Sequence, residues 1–386
     1  MPAYAIWGSE LSPFALKLRA LLDYAEIPYR WLPEEGGRLD NLRIAWRLRQ
    51  AQRRRAVVRY PELSPLDEYP LVPYLIEDGR RFHYDSSALA RWLDVHPQRR
   101  SPTFFPEPPA LSFVAQLIDE AFDEFGLYMV HHMRWVLSAA TNDAGRRLAR
   151  EFRRLLPPGA GSGFGRRFAA RQVRRLPYLF SVAPSGYSAG VSAALTPPSR
   201  EGWPETHTLL NQAWERHLAG MEAVLLRQRY LLGDRFTVAD ASAYGQLGMN
   251  LTDPSAADRM RELAPATFAW LGAIRDRRHV GSRGSLTLST HLAPLLEIVM
   301  RTFPPLMRQN EAAYERASKS GERLFNEPAF NRGRALYDGG LLGQPFRSVV
   351  KTFQVRVWRD LRAAWSKLPE SERARFEGLL AGELFE

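Results

Sequence analysis

The chain has 386 residues and is 45% hydrophobic, long enough to form two domains, or two and an appendage, each burying a core of its own. It has no cysteine. That excludes disulfides, thiolate metal sites, cysteine nucleophiles and dithiol cycling by the protein itself, so any thiol chemistry needs a thiol brought by a ligand. The formal net charge is +11, mostly arginine, a balance that attracts anions but equally describes a well-solvated surface.

Taken in chain order, Ala3 to Trp7 reads as a strand, the Gly-Ser-Glu-Leu-Ser-Pro turn leads out of it, and Phe14 to Tyr24 carries apolar residues at helical spacing. Pro28 to Pro33 reads as a second strand, and Leu39 to Arg59 as a polar, arginine-dense helix. Pro61, Pro65 and Pro70 then break the chain. A strand is expected over Pro73 to Glu77, an Asp78-Gly79 turn, a short strand through His83 and a helix opening near Asp85. The proline-rich run from Pro97 to Pro109 reads as a linker, and helical periodicity dominates from Leu111. Residues 157–203 read as a long loop; within them, Gly159 to Gly165 lacks the lysine-serine ending of a phosphate cradle and is taken as flexible. RDRRHVGSRGS, after Trp270, reads as a second linker, followed by amphipathic helical patterns from Leu292.

Four signals carry chemistry or fold. Ser12 and Pro13 occupy the cap and first positions of a helix, where exposed amides and the positive end of the dipole would stabilise a thiolate beside the Ser12 hydroxyl. Val72-Pro73 enters a strand through the only kind of bond that adopts cis cheaply. Asp85-Ser86-Ser87 follows a short strand and opens a helix; its carboxylate suits a ligand ammonium, and its hydroxyl and amides a ligand carboxylate. Thr237 and Asp240 form a capping box.

In this order the four resemble the glutathione transferase superfamily, and S-P-F-A-x-K-x-R looks like the C-P-F-A turn of omega-type members with serine in place of cysteine. The segment from Tyr128 to Trp135 is similar to the H-x-R-W element of a bacterial branch of the family. The resemblance implies an α/β plus all-α protein: a thioredoxin-like domain (βαβ-ββα) over 1–97, a linker over 98–110, a helical domain over 111–285 and an extra helical tail over 286–386. It implies glutathione as co-substrate, with Ser12 acting on its thiol and Val72, Pro73, Asp85 and Ser86 holding its peptide part. Phe14, Tyr128, His131 and Trp135 would line the pocket for a hydrophobic electrophile. The expected activity is thiolate attack on that electrophile, a detoxification chemistry, and the resemblance also implies a homodimer; the alternative is a silent scaffold on the same fold.

Other partners are not expected. Adjacent His131 and His132 lack the spacing of paired metal ligands. Trp46 is the one aromatic within the polar helix that carries the Arg53-Arg54-Arg55 cluster, which disfavours nucleic acid. No apolar run approaches the length of a membrane span, and the amino terminus lacks a signal pattern, so a cytoplasmic location is the expectation.

Overall fold

The computed structural model describes residues 3–60, 64–67, 72–187 and 196–377; Pro61 and Pro70 lie outside them. The first unit runs β1 (Tyr4–Trp7), α1 (Pro13–Tyr24), β2 (Tyr29–Leu32), α2 (Arg38–Arg53), β3 (Tyr74–Glu77), β4 (Arg81–His83) and α3 (Ser86–Asp94). The sheet order is β2-β1-β3-β4, with β1 parallel to β2 and antiparallel to β3, and β3 antiparallel to β4. This is a thioredoxin-like sheet, as the sequence predicts.

The period-2 alternation of side chains divides the strands between two cores. Ile6 and Leu75 pack with Leu18, Leu21 and Leu89 of α1 and α3, while Ala5, Trp7, Tyr74 and Ile76 pack with Ile44 and Leu48 of α2. Asp78 and Gly79 take φ of 52° and 64° in the β3–β4 turn, a conformation that aspartate and glycine tolerate. The helix expected to reach Arg59 stops at Arg53, because Arg55 turns left-handed (φ 52°) and Val58 then bridges to His83 beside β4.

The helical domain comprises α4 (Pro109–Ala121), α5 (Leu127–His132), α6 (Ala144–Glu151), α7 (Gly161–Arg175), α8 (His207–Leu225), α9 (Val238–Met249), α10 (Pro254–Leu263) and α11 (Pro265–Arg275). Two π-helical stretches, Phe122–Gly126 and Met133–Leu137, flank α5. Every residue of α9 is buried, and the predicted capping box starts it: Thr237 N donates to Asp240 at 2.9 Å, as does Leu231 N. At Gly245 a Cβ would lie 2.7 Å from the Pro13 carbonyl oxygen, so its absence brings α9 against the start of α1. Lys17 of α1 sits in the same seam, fully buried, with Nζ 2.5 Å from Asp119, 2.7 Å from Asp123 and 2.8 Å from Ser87. Burial works against its ammonium, and the two carboxylates more than offset this, raising its pKa.

Three expectations are corrected. The stretch from Gly159 to Gly165 is not a flexible loop but opens α7: at Gly165 a Cβ would come 2.4 Å from Gly145 O, so small residues let α7 cross α6 closely. The supposed second linker is pinned to α1, with His279 Nε2 3.1 Å from Ala20 O and the Tyr24 hydroxyl donating to Ser282 O at 3.1 Å. The tail is not wholly helical. Between α12 (Ala293–Lys319) with α13 (Asn326–Asn331) and α14 (Thr352–Ser366) with α15 (Glu370–Glu377), it inserts a hairpin, β5 (Leu336–Leu341) and β6 (Gln344–Val349). Its two-residue turn, Leu342-Gly343, has φ of 50° and 76°, the mirror-image turn that suits strand twist.

Two asparagines hold the start of α14. Asn310 Nδ2 donates to Lys351 O and its Oδ1 accepts from Lys351 N, both at 2.9 Å; Asn326 Oδ1 likewise accepts from Thr352 N at 2.9 Å. From there α14 lies along α4. Among the described residues no helix is long and apolar enough to cross a membrane.

Candidate functional site

Ser12 has φ −97° and ψ 119°, the extended geometry of a helix cap, and Pro13 follows as the first residue of α1. The Ser12 hydroxyl accepts from Ala15 N at 3.4 Å, which leaves its proton available to donate. Ser12 opens on a cavity of about 700 Å³ whose wall includes Trp7, Phe14, His131, Trp135 and Phe168. His131 is neutral near pH 7: burial and then the Arg134 charge lower its pKa to about 3, although Nδ1 lies 3.0 Å from Leu127 O.

A second cavity, of about 260 Å³, abuts the first; Phe14, Val72, Leu127, Arg175 and Leu179 line both. The Val72-Pro73 bond is cis, as is Leu32-Pro33. Asp85 and Ser86 line this smaller cavity at the start of α3, where Asp85 is the cap and accepts from Ala88 N at 3.1 Å. Asp85 also accepts from Arg59 Nε at 2.7 Å, and Arg356 of α14 stands 3.8 Å away. Burial opposes ionisation of Asp85, but Arg59, its hydrogen bond and Arg356 together hold the carboxyl below its usual range.

The tail closes this cavity through Lys351, Phe353 and Arg356. Arg356 Nε lies 2.5 Å from Asp67, and Lys351 Nζ donates to the Tyr128 hydroxyl at 2.5 Å while sitting 4.4 Å from the Tyr128 ring centroid. Across from them Glu120 and Glu124 line the wall. Burial raises both carboxyls, Glu120 well above its ordinary value and Glu124 to about 8.

The predicted site residues thus fall into two adjoining groups. Ser12, His131 and Trp135 line the larger cavity, and Pro73, Asp85, Ser86 and Tyr128 the smaller, with Phe14 and Val72 lining both. Tyr128 does not share the His131–Trp135 wall but lines the smaller cavity. Arg134 turns inward to bond Asp253 at 2.8 and 2.9 Å, Leu11 O at 3.0 Å and Met249 O at 2.8 Å. His132 is likewise buried, 2.7 Å from Ser181 Oγ and 3.1 Å from His207.

Sequence reasoning missed Arg59, Glu120, Glu124, Lys351 and Arg356. The two glutamates had a signal, the acidic pairs Asp119-Glu120 and Asp123-Glu124 repeated at i, i+4 along a helical run that is otherwise mostly apolar. The tail cations had none, since Arg356 and Asp67 are 289 positions apart.

A two-domain architecture with this turn, cis-proline corner and buried capped helix is that of a glutathione-transferase-type protein. Residues 11–96 match the family described as "Glutathione S-transferase, N-terminal domain" and residues 197–273 that described as "Glutathione S-transferase, C-terminal domain". Residues 11–96 and 197–273 are thus glutathione transferase domains, and neither match reaches the tail. No curated protein matches it in sequence. Solved structures with a similar fold include the beta-etherase LigF from Sphingobium sp. (14% identity, 72% of this chain, 98% of that chain, TM-score 0.43). A glutathione S-transferase from Rhodospirillum rubrum shares 18% identity over 76% of this chain and 91% of its own, with a TM-score of 0.38. One from Ceriporiopsis subvermispora, solved in complex with glutathione, shares 17% over 71% of this chain and 97% of its own, at 0.41. The assignment rests on the two domain matches.

Proposed function

We propose that the protein is a glutathione-dependent transferase that activates the glutathione thiol for attack on a hydrophobic electrophile. The observation that carries this reading is the meeting, across Phe14 and Val72, of the cavity at the α1 cap with the cavity at the start of α3. A peptide ligand lying along both would put its thiol at Ser12 and its γ-glutamyl end at Asp85 and Ser86, with Val72 between them to pair with its backbone.

At Ser12 the hydroxyl proton and the positive end of the α1 dipole both favour a thiolate over a thiol. The thiol proton leaves to solvent. The sulfur lone pair then forms a carbon–sulfur bond with the electrophile, which either releases a leaving group or takes up a proton. Phe14, Trp135 and neutral His131 offer this electrophile an aromatic, uncharged wall. Tyr128, fixed by Lys351 and by Gln354 at 2.8 Å, shapes the peptide end.

Calorimetric titration with reduced glutathione tests the reading: saturable binding is expected, with a tightly bound ligand thiolate detectable by its ultraviolet absorbance. Absence of binding at millimolar glutathione would overturn it.

A further inference from the structure

Five carboxyl groups face the smaller cavity: Asp67, Asp85, Glu120, Asp123 and Glu124. Three have a cation in place, with Arg356 2.5 Å from Asp67, Arg59 2.7 Å from Asp85 and Lys17 2.7 Å from Asp123. Glu120 and Glu124 have none within 4 Å among the described residues. Of the cations of the wall, Arg175 bonds Glu327 at 2.6 and 2.8 Å, Lys351 bonds Tyr128 and Arg59 bonds Asp85, whereas Arg356, bonded to Asp67, also faces Glu120 from beyond ion-pair distance. Tyr84 gives an independent sign of a ligand. Only 6% exposed, it lines the same cavity, and its hydroxyl has no hydrogen-bond partner among the described residues.

The geometry points to Glu120 and Glu124 as the receptor for the α-ammonium group of the γ-glutamyl residue, with the carboxylate of Asp85 left to hold Arg59 and cap α3. This rests on the glutathione reading above. A ligand ammonium entering a largely buried cavity needs a carboxylate that is not already neutralised. Asp85 is bonded to Arg59 and flanked by Arg356, so bringing an ammonium there would set three cations around one carboxylate. The two glutamates stand four residues apart on consecutive turns and face the same space. The Tyr84 hydroxyl supplies a neutral hydrogen-bonding group to the same end of the ligand.

Protonation supports the assignment. The charged groups facing this pair are Asp119 and Asp123 on its own helical run, with Lys351 just before α14 and Arg356 within it, and Gln354 bonds Glu124. Burial and the neighbouring acids raise both carboxyls, Glu124 to about 8, so that Glu124 keeps its proton near neutral pH. An arriving ammonium favours the ionised forms, so binding expels protons and tightens as pH rises toward 8.

The test compares glutathione with its des-amino analogue, which lacks only the α-ammonium, on the full-length wild type, Glu120→Gln/Glu124→Gln and Asp85→Asn proteins. The wild type should prefer glutathione by about tenfold to a hundredfold, the worth of hydrogen bonds to a charged group. The double variant should lose that preference while keeping its affinity for the analogue, and Asp85→Asn should retain the preference. Titrating the wild type with S-methylglutathione, whose sulfur cannot ionise, in buffers of different ionisation enthalpy should show proton release; this needs no variant, should the double substitution unfold the chain. Equal wild-type affinities, no proton release, or a preference lost in Asp85→Asn and kept in the double variant would each overturn the assignment while leaving glutathione binding intact. A wild type that binds neither ligand would overturn the glutathione reading itself.

Discussion

At Ser12 two roles share one side chain: the oxygen closes the first turn of α1 and the proton remains for a ligand. Ser12→Ala is expected to cost about 1 kcal/mol of stability from the lost cap. Its effect on turnover should be larger, at least about tenfold, with glutathione affinity largely retained and the pKa of the bound thiol raised. Steady-state kinetics with ultraviolet titration of the complex check this; an activity loss that only tracks unfolding would reduce Ser12 to a cap. Arg134, by contrast, is a structural residue: it ties the loop before Ser12 to α9 and to Asp253, and both charges are almost fully buried. Arg134→Met should cost about 3–5 kcal/mol, because Asp253 is left charged inside the protein. Urea denaturation gives the value, and restoring part of it by adding Asp253→Asn would show that the stranded charge is the cause.

Among the elements, α7 is the sharpest case. Gly163 and Gly165 stand two residues apart on one helix, yet nothing lies within 4 Å of a Cβ at Gly163, whereas a Cβ at Gly165 would meet the backbone of α6 at 2.4 Å. Gly163→Ala should therefore stabilise by up to about 1 kcal/mol through helix propensity. Gly165→Ala should destabilise by about 1–3 kcal/mol by forcing two helices apart. Thermal melts of the pair decide between close packing and a mobile segment. The glycines misled the sequence reading because composition reports local chain freedom, while the contact that uses them lies with Gly145 on another helix. What was legible had local causes: the Ser12-Pro13 cap, the Asp78-Gly79 turn, the Asp85 cap and the capping box at Thr237, each formed within a few residues. From these the thioredoxin-like sheet and the buried α9 followed. The hairpin in the tail escaped because Gly339 and Gly340 interrupt its alternation, and the tail side of the smaller cavity escaped because its partners meet only on folding.

Over the whole molecule, buried ionisable groups set how stability responds to pH. His131 and His132 have pKa values lowered to about 3, and His217 and His279 to about 4, each mainly by burial. Below about pH 6.5 the unfolded chain protonates these histidines and the folded chain does not, so stability falls with pH down to 3–4. The buried acids act in the opposite sense. Asp123 and Asp240 are raised to about 6, Glu151 to about 7 and Glu124 to about 8, again chiefly by burial. Above about pH 4.5 the unfolded chain has lost protons that the folded chain keeps, so stability falls as pH rises toward 8. The two trends offset each other between about pH 4.5 and 6.5 and act alone outside it. Urea midpoints measured from pH 3.5 to 8.5 should show a plateau in that window and a decline on both sides; a maximum near pH 8 would contradict the balance of these groups.

Phe14 and Arg356 border the same cavity although 342 positions of chain separate them, and Asn310 and Asn326 fix the segment that carries Arg356. During synthesis, the sheet and the capped helices can assemble while the ribosome is still translating the tail. The pocket cannot, because its roof emerges hundreds of residues after its floor. A ligand that needs that roof is thus unable to assist the early stages of folding, and the nascent protein gains its binding competence as a late, single event.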